Sequence, residues 1–230
     1  MEQFEHHSAL GTILESVFHI HVPDHVVMAV FVALLLSAFA VWFRRRISVE
    51  SPGRIQLLLE AAVGGLLGML EETVGHKGRE FLGLVGTLGL FILVSNLLGL
   101  VPFFSSPTVS LNMPVGCALV AFIYYNYQGI RAHGVAAYFK HFLGPVLPLA
   151  IIMFPIEIIS HLSRILSLSI RLFGNIFGEE LVVLVLGSLI PFVIPVPMML
   201  FGVFGSLLQA FVFVMLTMIY LGGAVAAEEH

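Results

Sequence analysis

Two long segments of the chain contain no charged side chain, and this feature constrains the fold more than any other. No Asp, Glu, Lys or Arg occurs in the 50 residues from Phe81 to Ile130, or in the 47 residues from Leu181 to Ala227. A membrane-spanning helix needs about 20 consecutive apolar residues, so each segment is long enough for two spans. We therefore expect an all-α integral membrane protein.

The composition excludes several other classes. Hydrophobic residues make up 59% of the 230 residues and charged residues only 10%, whereas soluble domains carry roughly 25% charged residues. The formal net charge of −4 gives no reason to expect a nucleic-acid partner. Cys117 is the only cysteine, so we expect neither a disulfide framework nor a cysteine metal site.

The basic triplet Arg44-Arg45-Arg46 orients the first span. An uncharged run of 18 residues, 26–43, ends at this triplet, and basic residues beside a span favour the cytoplasmic side. Residues 1–25 are therefore expected to form an outer segment, without a cleavable signal because no basic leader precedes an apolar run. The histidines of this segment lack the spacing of a metal site, so we expect no metal or cofactor: His6, His7, His19, His21 and His25.

Residues 54–76 differ from a span because glutamates interrupt an apolar background. Glu60, Glu71 and Glu72 lie in this segment, which predicts an amphipathic helix on the cytoplasmic surface of the membrane. Residues 81–127 are then predicted to form a helical hairpin with a proline-containing break near its middle.

A second hairpin, made of two long helices, is predicted over residues 145–224. Counting spans from the first one places the C-terminus in the cytoplasm and gives about five membrane-embedded helices plus the surface helix. All of them belong to a single membrane domain, 1–230. The first helix of the second hairpin carries charges deep inside apolar sequence: Glu157, Arg164, Arg171, Glu179 and Glu180.

Most polar residues of that helix share one face with Arg171. A charge at bilayer depth costs at least a few kcal/mol, and a guanidinium cannot escape the cost by deprotonating. Buried ion pairs that hold a helix bundle together are one explanation. A proton relay interrupted by a fixed positive charge is the other, and the length of the stripe favours it. The residues within about 40° of Arg171 on an ideal helix are Glu157, Ser160, Arg164, Ser167 and Asn175.

Two motifs resemble the signatures of a known family. The run from Ser167 to Asn175, SLSIRLFGN, contains the RLFGN motif of the ATP synthase subunit a family. The run LQAFVF from Leu208, followed by LTMIYL from Leu216, resembles the second signature of the same family. Residues 96–102, NLLGLVP, fit the earlier hairpin of the family, so the resemblance extends over essentially the whole chain.

The resemblance implies the proton-conducting stator subunit of a rotary ATP synthase, which is not an enzyme by itself and binds no nucleotide. In that family the chain lies against a rotating ring of c subunits, beside the b-subunit peripheral stalk and the rest of the complex. The expected location is the lipid bilayer of the bacterial inner membrane, with the last hairpin against the ring. Two half-channels reach the ring from opposite sides, and the essential arginine that separates them corresponds to Arg171.

The resemblance also suggests residues for the proton path. Asn175 and Gln209 match polar residues near the essential arginine, and Gln209 either reaches Arg171 or bonds neighbouring helices together. Glu180 matches a carboxylate of the outer half-channel. Glu157 matches a carboxylate of the cytoplasmic half-channel, with Ser160 and His161 as its neighbours, and Ser167 is a further candidate for the proton path.

The chain departs from the family pattern next to Glu180. Many members pair the carboxylate at this position with a titratable residue on the last helix, but the corresponding position here is Gly202. Glu179 instead supplies a second carboxylate where a small residue is common. Two neighbouring carboxylates repel each other when both are ionised, so we expect the Glu179/Glu180 pair to replace the missing cross-helix pair, with Glu180 as the principal relay. Alternatively, Glu179 faces water at the outer mouth.

Two other functional classes, a secondary transporter and an intramembrane enzyme, fit the sequence less well. A secondary transporter usually contains inverted repeats with broken helices, and no repeat is visible in the sequence. An intramembrane enzyme needs a nucleophile with its base, or a set of metal ligands. The sequence contains no HExxH motif, no GxSxG motif and no pair of intramembrane aspartates.

Single introduced cysteines test the predicted orientation. A cysteine near the N-terminus is expected to react with an impermeant reagent added outside the cell. Cysteines near Arg45, near Lys140 and at the C-terminus are expected to react only from the cytoplasmic side. A C-terminal cysteine that reacts from outside would contradict the count of spans.

Overall fold

The computed structural model describes residues 23–75, 78–101, 104, 106–135, 138, 150–189 and 195–225. These residues form α-helices and one 3-10 turn and contain no strand, which confirms the all-α prediction. The expectations for residues 1–22, for the loop around Lys140 and for the C-terminal residues 226–230 lie outside the described residues. The helices are α1 (Asp24–Arg44), α2 (Arg54–Val74), α3 (Gly78–Gly99), α4 (Asn112–His133), α5 (Ala150–Leu189) and α6 (Pro195–Val225), and the 3-10 turn, Pro107–Val109, precedes α4.

Four of these helices are long and apolar enough to cross a membrane, namely α1, α3, α5 and α6. Helix α4 has a comparable length of 22 residues, but it includes Asn126, Gln128 and Arg131, which lower its hydropathy. Its role as a fifth embedded helix therefore remains a prediction.

Helix α4 also continues further than the sequence suggested. It was expected to end near Tyr127, yet it reaches His133. Gly134 then ends the helix with a positive φ of 84°, and its N–H donates to the carbonyl of Ile130 at 2.8 Å. A left-handed glycine after the last turn is a common helix terminator, so the glycine, rather than the polar residues before it, decides where α4 ends.

The core lies where α3, α4 and α6 meet, and it has two parts. The first part joins these helices to the end of α2, and the second joins them to the middle of α5. Leu70, Phe81, Tyr125, Met218 and Leu221 belong to the first part. Buried residues of the second part are Ile92, Cys117, Ala118, Ala121, Leu168, Leu172, Ala210 and Phe213.

Helix α1 lies at the periphery and buries little of its surface. Only Met28 and Val32 are buried, and Phe31 stacks on Phe104 with ring centroids 6.1 Å apart. Its other neighbours are the 3-10 turn and α3. Most of its apolar side chains are therefore available to lipid, as its composition predicts.

Helix α5 is continuous over 40 residues in spite of Pro155. A proline removes one backbone hydrogen bond and bends an α-helix, but Pro155 lies only about one and a half turns after Ala150. The long regular segment that follows keeps the spacing of the polar residues predicted for an ideal helix.

Helices α2 and α6 approach each other closely at Gly222. A Cβ added to Gly222 would lie 2.8 Å from the carbonyl oxygen of Thr73, a backbone atom that cannot move without its helix. A Cβ added to the next residue, Gly223, would meet nothing within 4 Å. Glycine at position 222 is therefore a packing requirement of this contact.

We expect Gly222→Ala to destabilise the protein by about 1–3 kcal/mol, because overpacking forces a backbone shift. Gly223→Ala is the matched control and is expected to be neutral or slightly stabilising, because alanine favours helix by about 1 kcal/mol over glycine. The thermal unfolding midpoint of the detergent-solubilised protein measures both. Equal midpoints for the two variants would contradict the predicted contact.

Candidate functional site

Arg171 lies near the middle of α5 with its side chain exposed. Within the described residues it makes no hydrogen bond or ion pair with another side chain. The exposed residues one turn before and after it, Ser167 and Asn175, are polar. Exposed apolar residues lie further round the same helix, for example Leu166, Ile170 and Phe177, which are 57%, 59% and 42% exposed. Arg171 is thus a permanent cation on a helix that exposes mostly apolar side chains, and no other described part of the chain covers it.

Helix α6 also exposes apolar side chains. Phe201, Phe204, Leu207 and Phe211 are all about half exposed or more. Large exposed apolar surfaces mark contacts with lipid or with another protein. The cation of Arg171 cannot be satisfied by lipid tails, since an unpaired charge at bilayer depth is costly.

The polar residues of the predicted stripe differ in exposure along α5. Ser167 and Asn175, on either side of Arg171, are exposed as it is. Residues nearer the start of α5 are half-buried, including Glu157, Ser160 and Arg164. The stripe thus runs from the open surface beside Arg171 into the contact between helices near the start of α5.

Glu179 points from α5 towards α6 and occupies the space beside Gly202. A Cβ built on Gly202 would collide with the carboxylate of Glu179. Oε1 of Glu179 is buried without a hydrogen-bond partner among the described residues. One carboxylate oxygen of Glu179 is therefore turned towards α6, and the role of Glu179 in the relay stays a prediction.

Asn175 approaches α6 at the same place. A Cβ on Gly205 would lie 3.7 Å from Nδ2 of Asn175 and 3.9 Å from Oε2 of Glu179. The two side chains, one helical turn apart on α5, therefore lie together against the glycine surface of α6. Glu180 is half-buried next to Glu179, close enough for the two carboxylates to interact electrostatically.

Gln209 is 6% exposed on α6. No hydrogen bond joins it to Arg171 within the described residues, so the predicted reach of Gln209 to Arg171 is not seen here. Ser206, one turn earlier, is fully buried, and its hydroxyl has no hydrogen-bond partner in the described part of the chain.

A buried polar cluster, formed by Ser95, Asn96, Ser106 and Thr108, lies beside the 3-10 turn. The hydroxyl of Thr108 donates to Oδ1 of Asn96 at 2.8 Å, and the hydroxyl of Ser106 donates to the carbonyl of Ser95 at 3.1 Å. Nδ2 of Asn96 and the hydroxyl of Ser95 are buried without partners among the described residues. Unpaired buried polar groups often mark the position of an ordered water.

This cluster lies at the same end of the helix bundle as Glu179. Ser106 packs directly against Gly99 at the end of α3, and the next residue, Leu100, touches Gly202. In the sequence, this segment indicated only the earlier helical hairpin. The run of small polar residues around position 106 was the available signal for a buried cluster.

A second polar group lies at the opposite end, where α4 and α6 end and α5 begins. His161, buried at 8% exposure, has Nδ1 2.8 Å from the hydroxyl of Tyr125 and Nε2 3.5 Å from Oε1 of Glu157. The guanidinium of Arg164 lies over the ring of Tyr220, 5.0 Å from its centroid. Tyr125 was not among the predicted site residues, because nothing in the sequence separates it from Tyr124 and Tyr127.

No group of three or more His, Cys, Asp or Glu residues with the geometry of a metal site occurs in the part of the chain that the structure describes. The arrangement consists of one exposed cation at mid-helix, carboxylates towards both ends of α5, and a group of buried polar side chains at each end of the helix bundle.

The sequence of this chain matches a family of known proteins. The family model of the ATP synthase A chain matches residues 26–222. The ATP synthase subunit a 1 of Syntrophotalea carbinolica is 46% identical to this chain over 224 residues, which cover 97% of this chain and 94% of the relative.

Other relatives give a consistent result. The ATP synthase subunit a of Citrifermentans bemidjiense is 52% identical over 179 residues, covering 78% of this chain and 76% of the relative. That of Campylobacter jejuni is 46% identical over 200 residues, covering 86% and 88%. Together with the four apolar helices, these bacterial relatives identify an integral protein of a bacterial membrane.

Proposed function

The chain belongs to the ATP synthase A chain family, and on this premise we propose that it is the proton-conducting stator subunit of a rotary ATP synthase. The observation that carries the proposal is the exposed Arg171 at the middle of α5, with carboxylates displaced towards both ends of the same helix. Nucleotide chemistry is assigned to other subunits, and no catalysis is assigned to this chain.

The partner proposed for the apolar surface of α5 and α6 is the ring of c subunits. Each ring subunit contributes one membrane-embedded carboxylate, which desolvation keeps protonated while it faces lipid. An opposite charge within about 4–6 Å favours the ionised form. A ring carboxylate that reaches Arg171 therefore gives up its proton and pairs with the guanidinium, and the pairing satisfies the cation that this chain leaves exposed.

The same permanent charge separates two half-channels. The guanidinium repels a proton that attempts to pass along α5 from one side to the other, and it cannot act as a carrier because a guanidinium does not deprotonate in proteins. Protons therefore cross only by travelling on the ring, which couples their flow to rotation and to ATP synthesis.

We assign the residues of each half-channel from the family resemblance, together with their order along the chain. On the outer side we assign Glu180 as the principal relay, assisted by Glu179, Asn175 and Gln209. The residues assigned to the cytoplasmic side are Glu157, Ser160, His161 and Ser167. The peripheral stalk of b subunits and the rest of the complex hold the chain against the ring, in the bacterial inner membrane with the N-terminus outside and the C-terminus in the cytoplasm.

Replacement of Arg171 tests the barrier directly. Arg171→Ala is expected to abolish ATP-driven proton pumping and proton-driven synthesis while the complex still assembles. Arg171→Lys is expected to fail as well, because an ammonium is a compact charge that can lose its proton when buried. Acidification of inverted membrane vesicles measures pumping, and co-purification of the ring measures assembly.

Ile170→Ala is the matched control, since it shortens an exposed neighbour without removing a charge, and it is expected to retain most of the pumping. Arg171→Ala vesicles that still acidify would show that a fixed cation is not the barrier.

The buried position of Glu179 leads to a second prediction. Glu180→Gln is expected to reduce proton translocation by at least about tenfold, and Glu179→Gln to reduce it by less, because a carboxylate relay requires a group that titrates near the working pH. The double variant is expected to be the slowest. Should Glu179→Gln have no effect, alone or added to Glu180→Gln, then Glu180 acts without its neighbour.

Gly202→Ala offers an independent way to displace Glu179 without removing its charge. The added methyl group collides with the carboxylate, whereas the methyl group of Gly205→Ala makes ordinary contacts. We expect slower translocation in Gly202→Ala and near-normal translocation in Gly205→Ala.

A further inference from the structure

The contact between Tyr125 and His161 joins two helices that meet at the start of α5. The hydroxyl of Tyr125 and Nδ1 of His161 are 2.8 Å apart. The two rings are nearly parallel, with centroids 5.9 Å apart and planes inclined by 16°. Tyr125 is 2% exposed and His161 is 8% exposed, so water has little access to this hydrogen bond.

The surroundings of Tyr125 decide which atom donates the proton. Arg164, one turn beyond His161 on α5, is a near neighbour of the Tyr125 hydroxyl. A guanidinium has only donors, so the phenol oxygen faces a donor and directs its own hydrogen elsewhere. The Tyr125 O–H therefore donates to Nδ1 of His161, and the neutral imidazole carries its hydrogen on Nε2.

That second nitrogen faces the candidate carboxylate of the cytoplasmic half-channel. Nε2 of His161 lies 3.5 Å from Oε1 of Glu157, which is slightly longer than an ordinary N–H···O hydrogen bond of about 2.7–3.2 Å. The carboxylate side chain is 31% exposed and the imidazole 11% exposed. The imidazole thus contacts one oxygen of the carboxylate electrostatically rather than through a short hydrogen bond, and the rest of the carboxylate is open to solvent or to a partner.

Among the described residues, the other charged or titratable side chains around His161 are compatible with a neutral ring. Arg164 on α5 lies over Tyr220 of α6 and disfavours a second positive charge beside it. Tyr138, which follows α4, donates to Oδ1 of Asn126 at 2.7 Å. Burial raises the pKa of Tyr138 above its usual value, so this phenol also stays neutral.

We propose that Tyr125 is a positioning residue, which fixes the Nε2–H tautomer of His161 and thereby orients the carboxylate of Glu157. This inference rests on the proposed function, because it assigns to Glu157 the role of a proton acceptor at the cytoplasmic side. It changes the role of His161 within that path. The imidazole acts as a fixed donor between a phenol and a carboxylate, and it carries no proton itself.

The distinction between a fixed donor and a proton carrier can be measured. A glutamine amide can accept a hydrogen bond at its oxygen and donate one at its nitrogen, but it cannot carry a proton at neutral pH. His161→Gln is therefore expected to pump within about threefold of the wild type, while His161→Leu loses both contacts. Tyr125→Phe is expected to lower pumping by about tenfold, as when a partner that orients a reactive group is lost.

Tyr127→Phe is the matched control, because it removes a phenol hydroxyl from the same helix at a position that is 59% exposed. All variants are assayed as whole ATP synthase in inverted vesicles, with ring co-purification as the measure of assembly. The proposal is overturned if His161→Gln is as damaging as His161→Leu, or if Tyr125→Phe pumps like Tyr127→Phe.

Nitrogen NMR of isotope-labelled histidine in the intact complex supplies a readout that does not depend on pumping. The His161 signals, identified by their loss in His161→Gln, are expected to show a bare Nδ1 and a protonated Nε2, and Tyr125→Phe is expected to give a mixture of tautomers. A protonated Nδ1 in the wild type would refute the proposal. Pumping that survives Arg171→Ala would instead refute the proposed function and leave the tautomer result standing.

Discussion

Arg171 carries a charge that it cannot lose, on a helix whose exposed side chains are mostly apolar. The positions of the other charged side chains in the described part of the chain leave this charge without an internal partner. Arg164 is covered by the ring of Tyr220, whereas Arg171 is exposed and has no partner within the described residues. The nearest carboxylate of α5, Glu179, stands about 12 Å from Arg171 along the helix axis, and Glu180 and Glu157 stand further away. An internal ion pair at Arg171 would neutralise it, so the spacing preserves a cation for an external carboxylate.

Glycines on α6 determine where acidic groups can enter the space between helices. Gly202 leaves room for the carboxylate of Glu179, which comes from the opposite helix. A larger residue at position 202 would occupy the same volume from the other side. Whether the acidic group comes from α5 or from α6, the space between the helices accommodates one side chain and not two. The residues at positions 179 and 202 therefore constrain each other by volume as well as by charge.

The sequence predicted the elements better than it predicted how they face each other. Charge-free runs indicated α1, α3 and α6, and the regular spacing of residues 157–175 predicted a continuous helix, which α5 confirms. Which tyrosine of α4 meets His161, and towards which neighbour Glu179 points, depend on the rotation of each helix about its axis. In lipid, apolar side chains are nearly as favourable outside the bundle as inside it, so hydrophobic periodicity carries little information about that rotation. Small residues such as Gly202 and Gly222 determine the rotation of each helix through close contacts, and the sequence does not show which residues these contacts join.

The length of α5 has a mechanical consequence. Its 40 residues extend over about 60 Å, about twice the thickness of the hydrocarbon layer of a bilayer. A helix of this length remains within that layer only if it is inclined by roughly 60° from the membrane normal, far beyond the average of about 20°. Its residues are then spread sideways across the membrane plane as well as through its depth. On the proposed function, a ring carboxylate that moves sideways past α5 meets these residues one after another. The order of the residues along the sequence is then the order in which the carboxylate meets them, and this order reverses when the ring turns the other way.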